Sequence, residues 1–240
     1  DYLTNKSSKI TCKSTAHCVE AHFFLTGKVL FQLKNMGWKQ LEGPAHNILV
    51  LSEVKDEVHF EATPVSTFDI HISKEILIKL AAKYPKLAPL VKAIKEKNQS
   101  SLFLKRKRTN PYKLWQIIKI RTALDAGKAT EAATEEMVEK LILMVLDDEP
   151  VVTKYDYSYE EIKKIENAHR LITMYLDETG ILASKITETG IPKDKFREGF
   201  RLLYNKLPGL YLQQARLEKA KQLASEGSIT SLTDLAALCG

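Results

Sequence analysis

Cysteine is scarce in these 240 residues, and its placement excludes two kinds of fold. The three cysteines, Cys12, Cys18 and Cys239, cannot all pair within one chain and do not stand at zinc-ligand spacing. Free thiols in a reducing cytoplasm are the expectation. Long apolar runs are missing too. The longest spans residues 141–146, far short of a bilayer crossing, so no membrane partner is expected. No signal-peptide pattern opens the chain. It begins on Asp1 rather than Met, and a missing N-terminal segment is expected. There is no nucleophile motif, no glycine-rich phosphate loop and no acid/base pair at a supporting spacing, so neither an enzyme nor a cofactor is expected. Five histidines, His17, His22, His46, His59 and His71, fall in the first 71 residues. A cupin-type metal site needs a His-x-His pair and a nearby Glu converging from adjacent strands; without that pair, no metal is expected.

What is present reads as two regions of different class. Apolar residues make up 44% and charged residues 28%, the balance of globular protein, and the length suits two cores. Residues 65–72 alternate, with Phe68, Ile70 and Ile72 on one face and Thr67, Asp69 and His71 on the other. That period is a strand's. Residues 18–25, 28–33, 48–51 and 58–60 are further strand candidates, punctuated by turns at Gly27, residues 35–37 and residues 42–44. Several short strands at close spacing predict a small sandwich or barrel. Ser73 caps a helix to about residue 83, and another fits residues 87–97. Lys105, Arg106, Lys107 and Arg108 read as a solvated linker. Two longer helices are predicted over residues 112–125 and 130–147, broken at Gly127, and a second linker over residues 149–155. From Ser158 onward the pattern is helical throughout. The fold class is therefore α+β multidomain, divided at residues 1–110, 111–157 and 158–240.

The most informative stretch is residues 181–200. A short apolar-patterned helix ends at Gly190, a tight turn follows, and a second helix starts at Pro192. That order lets one helix brace another in a DNA major groove. On the second helix Phe196, Phe200 and Leu203 point one way. The opposite arc carries Asp194, Arg197, Glu198 and Arg201, with Lys193 and Lys195 at its edges. Residues 181–221 hold nine basic groups against four acidic ones, a local excess that suits phosphate contact. The plain alternative is a solvated helix face with acidic groups near its N-terminus. The helix from Pro208 to about Ser225 is expected to bury Tyr211, Leu212, Leu217, Ala220 and Leu223, and Arg216 to orient the two halves rather than hold phosphate.

Residues 166–240 resemble the AraC/XylS family of transcription activators. The matching positions are Gly190, Ile191 and Pro192, then Phe196, Phe200, Arg201, Pro208, Tyr211, Leu212, Arg216, Leu217, Ala220, Leu223, Leu232, Leu235, Ala236 and Gly240. Residues 195–200 also look like the subgroup of siderophore-responsive regulators of the pyochelin and yersiniabactin type. Residues 21–27, Asn47 and the strand at 68–72 loosely resemble sensor domains of such regulators. Pro192 replaces the family's usual Ser or Thr cap, and Asn205 replaces a usual Gly, though Asn tolerates the left-handed conformation. The chain ends at Gly240, where the family continues into a second recognition helix, so an incomplete second helix-turn-helix is expected.

The resemblance implies a cytoplasmic, ligand-responsive regulator. Its cupin-like β-barrel or sandwich would sense a small molecule, in the subgroup a siderophore. Residues 111–157 would mediate homodimerisation, and residues 158–240 would bind promoter DNA as an activator. It places base contacts on Asp194, Arg197 and Glu198 and phosphate contacts on Lys193, Lys195 and Arg201. His22, Phe24 and Trp38 are candidates for lining a ligand cavity. Two other readings stay open: a metal-binding, cupin-like enzyme domain fused to a DNA-binding module, and an unliganded regulator whose β domain only dimerises.

Overall fold

A computed structural model describes residues 7–14, 18–33, 37–51, 54–60, 64–127, 130–147, 151–226 and 231. The chain divides into two compact units, Asp1–Val151 and Val152–Gly240.

The described residues of the first unit include nine strands: β1 (Ser8–Ser14), β2 (Cys18–Thr26), β3 (Lys28–Leu33), β4 (Gly37–Glu42), β5 (Ala45–Leu51), β6 (Val54–Phe60), β7 (Ser66–Ile72), β8 (Ser100–Ser101) and β9 (Lys107–Arg108). They form two antiparallel sheets. One runs in the order β1-β6-β3-β4, the other β7-β2-β5-β8, with β9 also on β5. Strand β2 is central and its alternation is sharp. Val19, Ala21 and Phe23 are fully buried, and Phe68 and Ile70 lie across from Phe23 and Ala21 in β7. Two helices pack on this sheet, α1 (Lys74–Lys83) against β2 and α2 (Ala88–Glu96) against β5, with Leu77 of α1 and Leu90 and Ala93 of α2 buried. Phe24, one step out of phase, packs instead with Val29, Leu41 and Phe60 of the other sheet and with Val65. A β-rich first region with its own helices is thus what the alternation predicts.

Two further helices, α3 (Pro111–Asp125) and α4 (Glu131–Asp147), pack on each other in the same unit. Asn110 caps α3 by accepting from Lys113 N at 3.0 Å, with Pro111 at the first helical position, where its missing N–H is harmless. Leu114, Ile117 and Ile120 of α3 and Leu141, Val145 and Leu146 of α4 are buried. Lys105, Arg106, Lys107 and Arg108 are not a solvated linker. Lys107 and Arg108 are β9, paired with His46 and Ala45, and Arg106 is partly buried. The sheet edge recruits this run because main-chain pairing is indifferent to side-chain charge, and basic residues suit an edge strand.

Among the described residues of the second unit the regular elements are helices: α5 (Tyr159–Met174), α6 (Ile181–Thr189), α7 (Lys193–Tyr204) and α8 (Pro208–Ser225). Ser158 and Glu161 form a capping box at the start of α5. Ile162, Ile165 and Ile172 of α5, Ile181 of α6 and Phe196, Phe200 and Leu203 of α7 make the core. One expectation fails: of the α8 residues expected to be buried, Leu217 is 54% exposed, while Tyr211, Leu212, Ala220 and Leu223 are half-buried. Leu217 repeats at a helical interval with Leu210, also exposed, so it belongs to the outer stripe of α8. Leu232, Leu235, Ala236 and Gly240 lie outside the described residues, as do Cys239 and His17.

Candidate nucleic-acid interface

The turn between α6 and α7 is fixed by four consecutive residues. Gly190 closes α6 at φ +65°, a left-handed conformation that suits glycine. Thr189 Oγ1 donates to Ile186 O at 2.6 Å and accepts from Ile191 N at 3.1 Å. Ile191 is buried under the turn, and Pro192 then leads into α7 in extended backbone, where it offers no side-chain cap. Helix α7 is set so closely against its neighbours that a Cβ on Gly199 would stand 2.6 Å from Ile165 Cδ1 and 2.8 Å from Tyr157 Cε1.

Its inner face is aromatic. Phe200 touches the rings of Phe196, His169, Tyr204 and Tyr211, with centroids 4.6–5.9 Å away. Its outer arc holds Lys193, Asp194, Arg197 and Arg201, all exposed, with Glu198 half-buried among them. Steps of three and four residues bring these onto one face. Arg201 Nη2 donates to Glu198 Oε2 at 2.7 Å, and this pair holds the Glu198 carboxyl below the usual carboxylate range. Asp194, in the first turn, complements the positive end of the helix dipole.

Lys195 sits apart from this arc. Its Nζ donates to Glu161 Oε1 at 2.6 Å, with both side chains about four-fifths covered. The ammonium also stands over the Tyr157 ring, 5.4 Å from its centroid. Tyr157 in turn donates its hydroxyl to the main-chain carbonyl of Lys195 at 2.9 Å. Burial of Glu161 works against its charge, but the Lys195 and Ser158 hydrogen bonds outweigh it and hold the carboxyl low. Burial pushes the Tyr157 phenol up to about 12, so it stays a donor at neutral pH. A phosphate contact from Lys195 would have to displace Glu161; in this arrangement the residue ties the start of α7 to the start of α5.

Arg216 on α8 donates from Nε to Leu176 O at 2.8 Å and from Nη2 to Glu178 O at 3.1 Å. It satisfies carbonyls beyond the end of α5.

The candidate cavity residues of the first unit fall on different parts of it. Phe24 is core. Trp38 lies in β4, and its side chain is outside the described residues. His22 joins an ion cluster with Glu20 and Asp69, near Arg106. A groove of about 480 Å³ lies elsewhere, between α1 and α2, lined by Ile78, Ala81, Ala88 and Val91 among others. Sequence reading missed Glu20, Asp69 and Arg106. The Glu20-x-His22 alternation was visible, but Asp69 needed the strand register and Arg106 needed the loop ahead of β9.

No family model and no curated protein matches the chain. Solved structures do. The AraC-like transcriptional activator CuxR is similar at 17% identity and a TM-score of 0.36, covering 86% of this chain and 68% of that one. ToxT from Vibrio cholerae is similar at 11% identity and a TM-score of 0.37, covering 97% and 85%. At these scores the likenesses carry no argument for function, which rests on α6, α7 and their residues.

Proposed function

We propose that this chain is a sequence-specific DNA-binding transcription regulator of AraC/XylS type and not an enzyme. The observation that carries the reading is α7 itself. One face is locked into an aromatic core, and the other presents Lys193, Asp194, Arg197 and Arg201 to solvent behind a tight turn from α6. A braced helix with that outer chemistry fits a major groove. Arg197 is assigned to guanine O6 and N7, Asp194 and Glu198 to cytosine N4, and Lys193 and Arg201 to flanking phosphates. Lys195 is assigned to holding α7, given its pair with Glu161. The first unit is assigned to sensing a small molecule, with a siderophore as the subgroup's implied effector, and α3 and α4 to homodimerisation.

The test begins with selection from a randomised duplex pool, followed by fluorescence anisotropy on the enriched sequence. Arg197→Ala should cost about 1–3 kcal/mol at one base position and relax preference there. Lys193→Ala should weaken binding to every sequence and reduce the salt dependence by about one phosphate's worth. No enrichment by the parent, or Arg197→Ala reading the same sequence with equal affinity, would sink the assignment.

A further inference from the structure

On the β2–β7 ladder the fold gathers a side-chain cluster that DNA binding leaves unused. Strand alternation puts Glu20 and His22 on one face of β2. The antiparallel register then sets Asp69 directly across from His22, and His71 across from Glu20. His22 Nδ1 stands 3.0 Å from Glu20 Oε1 and 2.6 Å from Asp69 Oδ1. The donor atoms that Glu20, His22 and Asp69 offer all lie within 4.8 Å of one another.

We propose that Glu20, His22 and Asp69 form a binding site for a first-row divalent cation of the zinc or manganese kind. One imidazole with two carboxylates is a mixed nitrogen and oxygen donor set of the sort such cations take, and three protein ligands leave a position open for a further one. The donors come from two hydrogen-bonded neighbours, the internal strand β2 and the strand β7 beside it, so their backbone spacing is fixed before any ion arrives. Supporting groups are in place around them. Thr67 Oγ1 donates to Asp69 Oδ2 at 2.9 Å, and His71 Nε2 lies 3.4 Å from Glu20 Oε2, so each carboxylate has an outer partner that orients it.

Two observations separate this cluster from an ordinary solvated strand face. Glu20 and His22 are 15% and 17% exposed at their side chains, whereas His71 beside them is 73% exposed. In addition, His22 Nε2 is enclosed and has no hydrogen-bond partner among the described residues. An enclosed imidazole whose Nδ1 stands within hydrogen-bond reach of two carboxylate oxygens at once can give its single Nδ1 proton to only one of them at full strength, so the three donors converge on more than that proton satisfies. Arg106 contributes one positive charge near the two carboxylates, so with His22 as the neutral imidazole that a metal ligand requires the cluster carries one net negative charge.

The metal-stripped full chain is titrated with zinc chloride by calorimetry and, separately, with cobalt chloride followed by visible absorption. One zinc ion per chain is expected, together with a cobalt ligand-field band. His22→Gln and Asp69→Asn should each weaken zinc binding by roughly tenfold or more and abolish the band. Circular dichroism checks that each variant retains the parent's fold, and Asp69→Asn, on the more exposed strand, carries the test if His22→Gln does not fold. Absence of stoichiometric zinc uptake would overturn the proposal and leave a proton-bridged ion network. So would uptake and a cobalt band indifferent to both substitutions, which would place the ion on other surface donors. Neither result depends on what α7 binds.

Discussion

Residues 105–108 and residues 193–201 are both rich in lysine and arginine, and the fold uses them in opposite ways. In the first stretch, Lys107 and Arg108 pair with β5 as an edge strand while Arg106 turns inward beside Glu20 and Asp69. Burial of Arg106 lowers its guanidinium to about 10 against the pull of both carboxylates, so it remains cationic at neutral pH as an internal counter-charge. In the second stretch a helix sorts the charges. Lys195 is drawn back to Glu161 and Arg201 to Glu198, while Lys193 and Arg197 face solvent. A run of positive charge therefore says little until the backbone's period decides which members are paired at home and which are offered to a partner.

The comparison breaks most visibly at the helix core. Phe200 is fully buried against four rings, so Phe200→Ala should cost about 3–5 kcal/mol and abolish DNA binding. Both tryptophans, Trp38 and Trp115, belong to the first unit. Their fluorescence in urea should therefore report a nearly unchanged transition while far-ultraviolet dichroism loses helical signal early. Coincident early loss of both signals would show that the two units do not fold independently.

A crossed pair of arginine substitutions sharpens it next. Arg106→Gln should destabilise the first unit by about 1–3 kcal/mol, because two partly buried carboxylates lose a charged neighbour, and should leave the salt slope of DNA binding untouched. Arg197→Gln should do the reverse: stability within about 0.5 kcal/mol of the parent, with altered base preference. Measured urea midpoints and anisotropy titrations that failed to cross in this way would erase the distinction between the two stretches.

Lys195 and Glu161 carry a smaller effect. Lys195→Met and Glu161→Gln should each cost on the order of 1 kcal/mol, the upper end for a pair that water still reaches, and the double variant should cost little more than either alone. The pH dependence follows from the lowered Glu161 carboxyl. Its contribution is fully present above the ordinary glutamate value of about 4.3 and is lost as pH falls through the depressed folded value. Amide exchange across α7 at pH 7 and at pH 4 should therefore differ more in the parent than in Glu161→Gln. If Lys195→Met instead lowers the salt slope of DNA binding, the ammonium leaves Glu161 for a phosphate in the complex.

Much of this was legible in the sequence because it depends on local rules. Residues 112–125, 130–147 and 208–225 were marked as helices by their caps, breaks and prolines, and those marks fall within a residue of α3, α4 and α8. The alternation at residues 65–72 gave β7 and the exposed His71. Facts that depend on distant pairing were not legible. Asp69 meets His22 only through the β2–β7 register, Arg106 reaches the same cluster only because β9 adds to β5, and Lys195 meets Glu161 across thirty-four positions. Leu217 failed for another reason: a leucine on a helix states apolarity but not whether another element covers it.

The smallest expected effect concerns the end of α7. Asn205 closes the helix at φ +57°, its N–H donating to Arg201 O at 2.8 Å. A side chain in that region pays for the crowding of its Cβ, and asparagine pays less than most. Asn205→Gly removes the crowding in the folded chain but adds freedom to the unfolded one. The two changes oppose each other, so the urea midpoint should move by no more than about 0.5 kcal/mol equivalent in either direction. Asn205→Ala keeps a Cβ without asparagine's tolerance and should cost about 1 kcal/mol. If the glycine variant proved as damaging as the alanine one, the Asn205 side chain would be making an interaction of its own. The end of the reading helix would then rest on more than its backbone conformation.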